Sequence, residues 1–468
     1  MRTSFFKRIA SRYIGDKGFY KGVILLVLPI VAQQGITNFV NLLDNVMVGG
    51  LCTESISGVA IANQLIFVFN LTLFGGFSGA SIYGAQYAGI NDNEGVRYAF
   101  RFKLLLGVLL STIAIVLFSI FGETLISLYL NDATNEADSL AMTLKEAKDY
   151  LSIALWGLVP FMISQCYGST LREIGETLSP MIASLISLLV NLGLNYVLIY
   201  GHLGFPALGV RGAAIATVIA RYSEIAYLLI YVYVKRRKYP FVNGALKSLY
   251  IPIGVFKNIC ITGAPLLLNE FMWSVGTALI NQAYSIRGLQ TVAAVNITST
   301  VFNVFAIVMF SMGSAISIMV GQQLGSGDVE GAKDTDRKLL FLDIAIHIAI
   351  GLIIIALSGL IPQIYKIEPE VRALTSNLLV IAGLSLPLHA FVHGTYFTLR
   401  SGGRTVITFL FDSVFTWVVS LPLAFILCNY TGFNVVIIYA CLQMSDIIKI
   451  FIAIPMLKSG TWARRIIL

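Results

Sequence analysis

Six carboxylates of this 468-residue chain lie inside long apolar runs: Asp44, Glu224, Glu270, Asp343, Asp412 and Asp446. An ionised side chain at the centre of a bilayer costs about 2.5 to 3.5 kcal/mol on insertion scales. A carboxylate kept there needs a reason, such as binding a proton or metal cation or pairing with a basic side chain. These positions are therefore the first candidates for a cation-binding function.

Asp44 ends a polar stripe in the first apolar run. Gln34, Thr37 or Asn38, and Asn41 precede it at intervals of three or four residues, and this spacing places side chains on one side of a helix. We expect that side to be wet. The alternative is that Asp44 caps the helix end or reaches the interface.

Glu270 begins a similar stripe in the seventh run. Ser274, Thr277 and Asn281 follow it on one predicted helix face, and Pro265, which frees a backbone carbonyl, lies five residues before it. We expect a second cavity-lining helix. The alternative is a Glu270 hydrogen-bonded for packing alone, but interhelical bonds in membranes average only about 0.6 kcal/mol.

Two further runs carry polar residues at helical spacing: Ser184, Ser187, Asn191 and Asn195 in the fifth, and Ser385, His389 and His393 in the tenth. The two histidines, four residues apart, fit either a proton relay or hydrogen-bonded packing. A metal site would need a third ligand, and the sequence offers none nearby.

Two pairs of opposite charges three residues apart are expected to form ion pairs: Arg221 with Glu224, and Asp446 with Lys449. Asp343 lies one turn into the ninth run, close to Arg337 and Lys338. We therefore expect Asp343 to belong to the cytoplasmic interface.

The elements that must position these residues are transmembrane helices. Hydrophobic residues make up 57% of the chain and charged residues 12%, about half the charge of a soluble protein. Runs long enough to cross a bilayer fall near residues 22–45, 56–88, 102–121, 151–171, 179–200, 210–233, 260–284, 291–320, 339–363, 374–399, 406–427 and 434–456. Because the runs are continuously apolar, the sequence predicts an all-α polytopic membrane protein rather than a barrel.

The basic residues follow the predicted topology. With the N-terminus in the cytoplasm, 24 Lys and Arg fall inside and 6 outside. Those before the first run include Arg2, Lys7, Arg8 and Arg12. By the positive-inside rule both termini are cytoplasmic. With no targeting segment apparent, we expect the cytoplasmic (inner) membrane, contact with membrane lipid and no nucleic-acid partner.

An internal repeat divides the chain. A shift of 236 residues aligns Pro29 with Pro265, Gln86 with Gln322 and Gly89 with Gly325. Each half holds six runs, so the halves point the same way through the membrane, related by a pseudo-two-fold axis along its normal. We predict an N-terminal lobe at 1–234, a basic cytoplasmic linker at 235–257 and a C-terminal lobe at 258–468.

Enzyme signatures are missing from the sequence. GSGD at 325–328 has the form of an aspartyl-protease signature, but it lies in a polar loop. There is no HExxH, P-loop or GxSxG motif. We therefore expect a protein that is not an enzyme.

Several segments resemble the multidrug and toxic compound extrusion (MATE) family. They are LPIVAQQGITNFVNLLDNVMVGGL, GAQYAGINDNEG with its echo VGQQLGSGDVEG, GAPLLLNEF, and LRSGGRT after the tenth run. The resemblance covers nearly the whole chain. It implies two six-helix lobes facing a central cleft, and export of cationic or amphipathic organic compounds in exchange for Na+ or H+.

The resemblance also assigns site residues. Asp44 falls on the family's first-span acidic residue, Glu270 on a seventh-span glutamate and Asn191 on a fifth-span asparagine. Asn195 and His389 stand where some members have an aspartate. Asp44, Asn191 and Asn195 are candidate Na+ ligands, but these departures leave open which lobe couples and which ion is used.

The expected mechanism is alternating access. A cation neutralises Asp44, and the first span bends near Pro29 and Gly35, with Pro265 as the matching hinge. The predicted substrate cleft is lined by Gln34, Asn38, Asn41, Ser274, Thr277, Asn281 and His393. No cofactor beyond the coupling ion is expected, and we expect a monomer.

Three alternatives remain. A flippase of lipid-linked saccharides from a related family predicts a more cationic cleft and often two further spans. An intramembrane enzyme predicts covalent turnover without a gradient. A receptor or scaffold predicts ligand binding without flux.

Overall fold

The structure, a computed structural model, describes residues 12–130 and 137–467. Over these residues it is helical and contains no β-strand. Arg2, Lys7 and Arg8, which enter the predicted charge bias, lie outside the described residues. So does the side chain of Asn41, a predicted cleft residue.

Twelve helices of the described chain are long and apolar enough to cross a membrane. We name them the first to twelfth spans: Lys17–Gly49, Thr53–Gly89, Asn93–Ser127, Asp138–Glu173, Leu178–Tyr200, Gly209–Val234, Ile253–Ser285, Leu289–Ser326, Val329–Leu357, Pro369–Ser401, Thr405–Tyr430 and Val435–Ser459. The prediction of an all-α polytopic membrane protein is confirmed.

Three spans are interrupted. The fourth consists of Ala137–Ala154 and Leu158–Glu173, joined by the 3₁₀ turn Leu155–Gly157. The eleventh runs through two π turns, Leu410–Val414 and Thr416–Ser420, between Thr405–Phe409 and Leu421–Tyr430. The twelfth is divided into Val435–Met444 and Asp446–Ser459. Short π segments are frequent at functional sites, and the first of these contains Asp412.

Some helices begin outside the predicted apolar runs because their first turns are polar. The third span starts at Asn93, where the Asp92 carboxylate accepts hydrogen bonds from the backbone N–H groups of Glu94 and Gly95, both at 3.0 Å. Asp328 caps the ninth span through the N–H of Gly331 at 2.9 Å. These caps satisfy the free backbone N–H groups at the helix starts. Because hydropathy marks only apolar residues, the predicted runs missed these polar first turns. At its other end the ninth span stops at Leu357 rather than 363.

The described chain forms two compact units. The N-unit comprises Leu28–Gly84 and Asp92–Cys260, and the C-unit comprises the residues through Val27, Ala85–Asn91 and those from Ile261 onward. Three helices therefore change unit along their length. The first span does so at Leu28, next to Pro29, the second at Ala85, and the seventh at Ile261, four residues before Pro265.

One helix crossing of the C-unit explains part of the repeat. A Cβ atom on Gly89 would overlap the backbone carbonyl of Gln322, and a Cβ atom on Gly325 would overlap that of Gln86. Only glycine allows backbones to approach this closely. The two aligned QxxG segments therefore pack reciprocally.

Candidate cation-binding sites

Asp44 belongs to a ring of four side chains in the N-unit and is only 5% exposed. Asn195 Nδ2 donates to Asp44 Oδ1 at 2.5 Å and to Asn191 Oδ1 at 3.1 Å. Asn191 Nδ2 donates to Thr217 Oγ1 at 3.2 Å, and the Thr217 hydroxyl donates to Asp44 Oδ2 at 3.3 Å. The first, fifth and sixth spans thus converge on one carboxylate.

The partners of Asp44 in this ring are all uncharged. The nearest basic group on the sixth span, Arg221, forms an ion pair with Glu224 at 3.2 Å, as predicted. The Oδ1 atom of Asn195 is buried, and among the described residues it has no hydrogen-bond partner. Carboxylate and amide oxygens are hard ligands suited to Na+, and the carboxylate can equally take a proton.

On the first span, Gln34 and Asn38 of the predicted polar stripe are exposed, and their place in the substrate cleft stays a prediction. Asp44 lies ten residues after Gln34. Because a helix turns roughly 100° per residue, the side chain of Asp44 points about 80° away from that of Gln34. Gln33, eleven residues before Asp44, shares its face, since three turns take about eleven residues. Gln33 Nε2 donates to Ser184 Oγ at 3.2 Å.

Glu270 lies at a second polar cluster, in the C-unit. The Tyr396 hydroxyl donates to Glu270 Oε1 at 3.2 Å. Asn269, the preceding residue, is buried, and its Nδ2 atom donates to Asp412 Oδ2 at 3.0 Å. Two neighbouring residues of the seventh span thus connect to the tenth and eleventh spans.

The stripe predicted to follow Glu270 keeps its geometry. Because their spacing is four, three and four residues, the side chains of Ser274, Thr277 and Asn281 point within about 40° of the direction of Glu270. All four residues lie in the continuous helix Ile253–Ser285. Ser274 and Thr277 are half-buried, whereas Asn281 is exposed.

A chain of charges continues from Asp412. Lys449 Nζ lies 3.6 Å from Asp412 Oδ1 and 3.4 Å from Asp446 Oδ1. His389 Nδ1 lies 3.0 Å from Asp446 Oδ2. The predicted pair of Asp446 and Lys449 is confirmed, and the structure adds that Lys449 bridges two carboxylates while His389 contacts one of them.

His393 is enclosed by aromatic rings. Its ring centroid lies 4.9 Å from that of Phe310, edge-on, and 4.8 Å from that of Phe397. His389 meets Phe302 edge-on at 5.8 Å. Both histidines therefore contact the eighth span, as their spacing on one face requires. Over the described residues, no group of three or more His, Cys, Asp or Glu side chains could hold a metal ion.

Asp343 lies inside the protein and does not pair with Arg337 or Lys338, and its position at the cytoplasmic interface stays a prediction. It is fully buried, and its Oδ1 lies 2.9 Å from Nδ1 of the buried His347. Arg337 and Lys338 pair instead with Asp334, at 3.5 and 2.5 Å, because it lies three and four residues before them. The four-residue spacing of Asp343 and His347 was the signal that could have revealed this pair.

Sequence reasoning also missed a buried ion pair in the N-unit. Lys103, counted as an inside cation from the sequence, is fully buried, and its Nζ lies 2.5 Å from Glu173 Oε1. It donates further bonds to the hydroxyls of Ser169 and Thr170, both at 3.1 Å. The three N–H donors of the Lys103 ammonium are thus all used within the protein, and the pair joins the third and fourth spans.

The predicted hinges lie within continuous helices. Pro29 and Gly35 fall inside Lys17–Gly49, and Pro265 falls inside Ile253–Ser285. A Cβ atom on Gly35 would meet nothing within 4 Å. Each proline removes one backbone hydrogen bond from its helix, which makes these points the weakest of the two spans.

The chain is similar to known proteins over most of its length. A family model described as MatE matches residues 29–197 and 265–426, which is most of the chain. A "Probable multidrug resistance protein NorM" of Thermotoga maritima is 26% identical over 471 residues, covering 100% of this chain and 98% of that protein. A protein with the same name from Bacillus cereus is 28% identical and covers 88% of both chains.

Solved structures share the fold. A MATE structure described as the bent conformation matches with a TM-score of 0.83 and 19% identity, covering 94% of this chain and 96% of that chain. A MOP superfamily transporter from Pyrococcus furiosus, described as having a binding pocket of reverse polarity, matches with a TM-score of 0.82 and 19% identity, covering 96% of this chain and 97% of that chain.

Proposed function

Because the chain belongs to the MatE family of multidrug and toxic compound extrusion transporters, we propose that it exports cationic or amphipathic organic compounds in exchange for Na+ or H+. The NorM relatives are named as multidrug resistance proteins, and the family consists of transporters rather than enzymes. The observation that carries the proposal is the ring around Asp44, a buried carboxylate with uncharged partners.

Asp44 serves as the coupling residue. When no cation is bound, its negative charge has only amide and hydroxyl partners, so the site attracts either a coupling ion or an organic cation. Binding of Na+ or H+ neutralises the site and displaces the substrate. Each net charge that an exchange cycle moves down 100 mV releases about 2.3 kcal/mol, enough for a concentration ratio of roughly fiftyfold per net charge.

The oxygen set of the ring supports either ion. Asp44 and Asn191 contribute oxygens, and Asn195 Oδ1 lacks a hydrogen-bond partner among the described residues, which suits Na+. In the C-unit, His389 beside Asp446 and Glu270 beside Tyr396 suit proton exchange. Glu270 acts as a second coupling site or as a substrate counter-ion.

Transport proceeds by alternating access of two lobes, at 1–234 and 258–468, joined by the linker 235–257 and related by a pseudo-two-fold axis. Pro29, Gly35 and Pro265 act as hinges. This is supported by structures described as MATE in bent and straight conformations, which match this chain with TM-scores of 0.83 and 0.82. We place the transporter in the cytoplasmic membrane as a monomer with both termini cytoplasmic, and with no cofactor besides the coupling ion.

Export of a lipid-linked saccharide is the alternative. The Pyrococcus furiosus structure is described as a transporter with reversed pocket polarity and a different function, so this fold is compatible with other substrates. The alternative requires basic groups to hold a pyrophosphate. Two basic residues near these clusters, Arg221 and Lys449, are instead paired with carboxylates.

The test is uptake of a fluorescent organic cation into proteoliposomes under Na+ and pH gradients imposed separately. Asp44→Asn keeps the shape of the ring but removes its charge. We expect gradient-driven accumulation to fall more than tenfold. The control is Glu123→Gln, an exposed carboxylate of the same unit, which should transport normally. Retention of gradient-dependent accumulation by the Asp44→Asn variant would contradict the proposal.

A further inference from the structure

The linker between the sixth and seventh spans has an unusual charge composition. Residues 235–257 contain six Lys or Arg and no Asp or Glu. Only one of the six, Lys238, has a carboxylate partner among the described residues, Glu176 at 2.9 Å. The other five are exposed: Lys235, Arg236, Arg237, Lys247 and Lys257. The linker therefore presents cations that the described parts of the protein do not neutralise.

The linker is nevertheless held in place. Arg101 of the third span is buried, and it donates to the backbone carbonyls of Gly244 at 2.8 Å, Ala245 at 3.0 Å and Tyr250 at 2.9 Å. One guanidinium thus closes the loop between residues 244 and 250. Gly244 has a φ of 73°, which favours glycine. The outward side of this loop is consequently fixed by the fold.

A second anchor fixes the start of the linker. The Glu176 carboxylate accepts hydrogen bonds from the Tyr239 hydroxyl at 2.6 Å and from Lys238 Nζ at 2.9 Å. Burial acts to raise the pKa of Glu176, but the bonds from Tyr239 and Lys238, the positive charge of Lys238 and the backbone N–H of Ser179 together lower it. The carboxylate is therefore ionised at neutral pH, and the anchor persists under working conditions.

The linker, up to the first residue of the seventh span, turns large apolar side chains outward. Leu246 is 57% exposed, Leu249 47%, Tyr250 65% and Ile253 80%. A soluble loop would leave this apolar surface in water, which is unfavourable. Four such side chains beside unpaired cations instead match a segment that lies in a membrane interface, where apolar groups enter the acyl boundary and basic groups meet headgroups.

We propose that the linker is a binding site for anionic phospholipid. Leu246, Leu249, Tyr250 and Ile253 insert at the acyl boundary, and the run Lys235–Arg237 with Lys247 holds the headgroup phosphates. The sixth span ends at Val234 and the seventh begins at Ile253, so both ends of the linker lie at span termini, where a lipid surface is adjacent. An acidic protein partner would explain the cations but not the apolar side chains.

The charge part of the proposal is tested by native mass spectrometry of the full chain, titrated with phosphatidylglycerol or phosphatidylcholine. We expect preferential retention of phosphatidylglycerol, weakened about fivefold per cation removed, or on the order of 100-fold in Lys235→Gln/Arg236→Gln/Arg237→Gln. The matched control is Arg464→Gln/Arg465→Gln, two exposed arginines of the C-unit. If the triple variant retained phosphatidylglycerol as well as the parent protein, or if the control lost as much affinity as the triple variant, the proposed lipid site would be wrong.

The apolar part needs a separate measurement. Relative to the parent protein with its four native tryptophans, the emission added by Leu249→Trp in vesicles of phosphatidylglycerol and phosphatidylcholine should be quenched by brominated acyl chains and protected from aqueous iodide. The opposite pattern would show a solvated loop and overturn the proposal. Inorganic phosphate should not displace the lipid, because it lacks acyl chains; displacement by phosphate would reduce the site to a simple anion site and reject a lipid occupant.

Discussion

The two polar clusters treat charge differently. In the N-unit, Asp44 is surrounded by the amides of Asn191 and Asn195 and the hydroxyl of Thr217. In the C-unit, Asp412 and Asp446 share a lysine, and Asp446 also contacts His389. The C-unit carries its own cations, whereas the N-unit ring must obtain one from outside.

This contrast separates a transport site from a supporting network. Burying a charge carries a desolvation free energy that a charged partner offsets only while it is present. Lys449 offsets it permanently for Asp412 and Asp446. Asp44 has no charged partner in its ring, so its desolvation free energy is offset only when an ion binds, which is the behaviour that coupling requires.

The largest expected effect is on stability. Lys449→Met removes the cation between Asp412 and Asp446, leaving two largely buried carboxylates with one histidine. Loss of one partner from a buried ion pair costs about 3 to 5 kcal/mol. We expect a clearly lower midpoint of thermal unfolding in detergent. Adding Asp412→Asn to the variant should recover part of the loss.

The matched control for this variant is Lys148→Met. Lys148 pairs with Glu123 at 2.5 Å, but both side chains are about half exposed, and such pairs contribute about 0 to 1 kcal/mol. If Lys449→Met were no more destabilising than Lys148→Met, Lys449 would not neutralise Asp412 and Asp446, and the contrast between the two units would not hold.

The next effect concerns transport. Glu270→Gln should lower the initial rate of drug efflux less than tenfold, a barrier change below about 1.4 kcal/mol. The reason is that Asp412 and Asp446 remain in the same unit, and glutamine can still accept the hydrogen bond from Tyr396. A loss as complete as that expected for Asp44→Asn would place coupling in both units equally.

Patterns within one helix were predictable from sequence. Apolar runs gave the spans, and three-residue spacing gave the pairs of Arg221 with Glu224 and Asp446 with Lys449. These depend on helix geometry alone. The direction of Gln34 also depends on it: each step toward Asp44 is three or four residues, but the summed rotation over the ten residues leaves Gln34 about 80° away from Asp44.

Contacts between helices were not predictable, because spacing says nothing about which spans meet. Lys449 bridging to Asp412 and Lys103 meeting Glu173 each join residues from different spans. Thr217 escaped notice for the same reason, although it lies four residues before Arg221 on the sixth span. The family resemblance pointed to Asp44 and Asn191, but not to the hydroxyl that completes their ring.

The smallest expected effect tests that hydroxyl. Thr217→Val keeps the side-chain shape but removes a donor to Asp44 and an acceptor for Asn191. A net hydrogen bond is worth about 1 kcal/mol, so the coupling-ion concentration at half-maximal transport should rise about fivefold. Thr112→Val is the control, because Thr112 is exposed and bonds only to Val108 of its own helix among the described residues. An unchanged half-maximal concentration in both variants would remove Thr217 from the cation site and leave Asp44 held by amides alone.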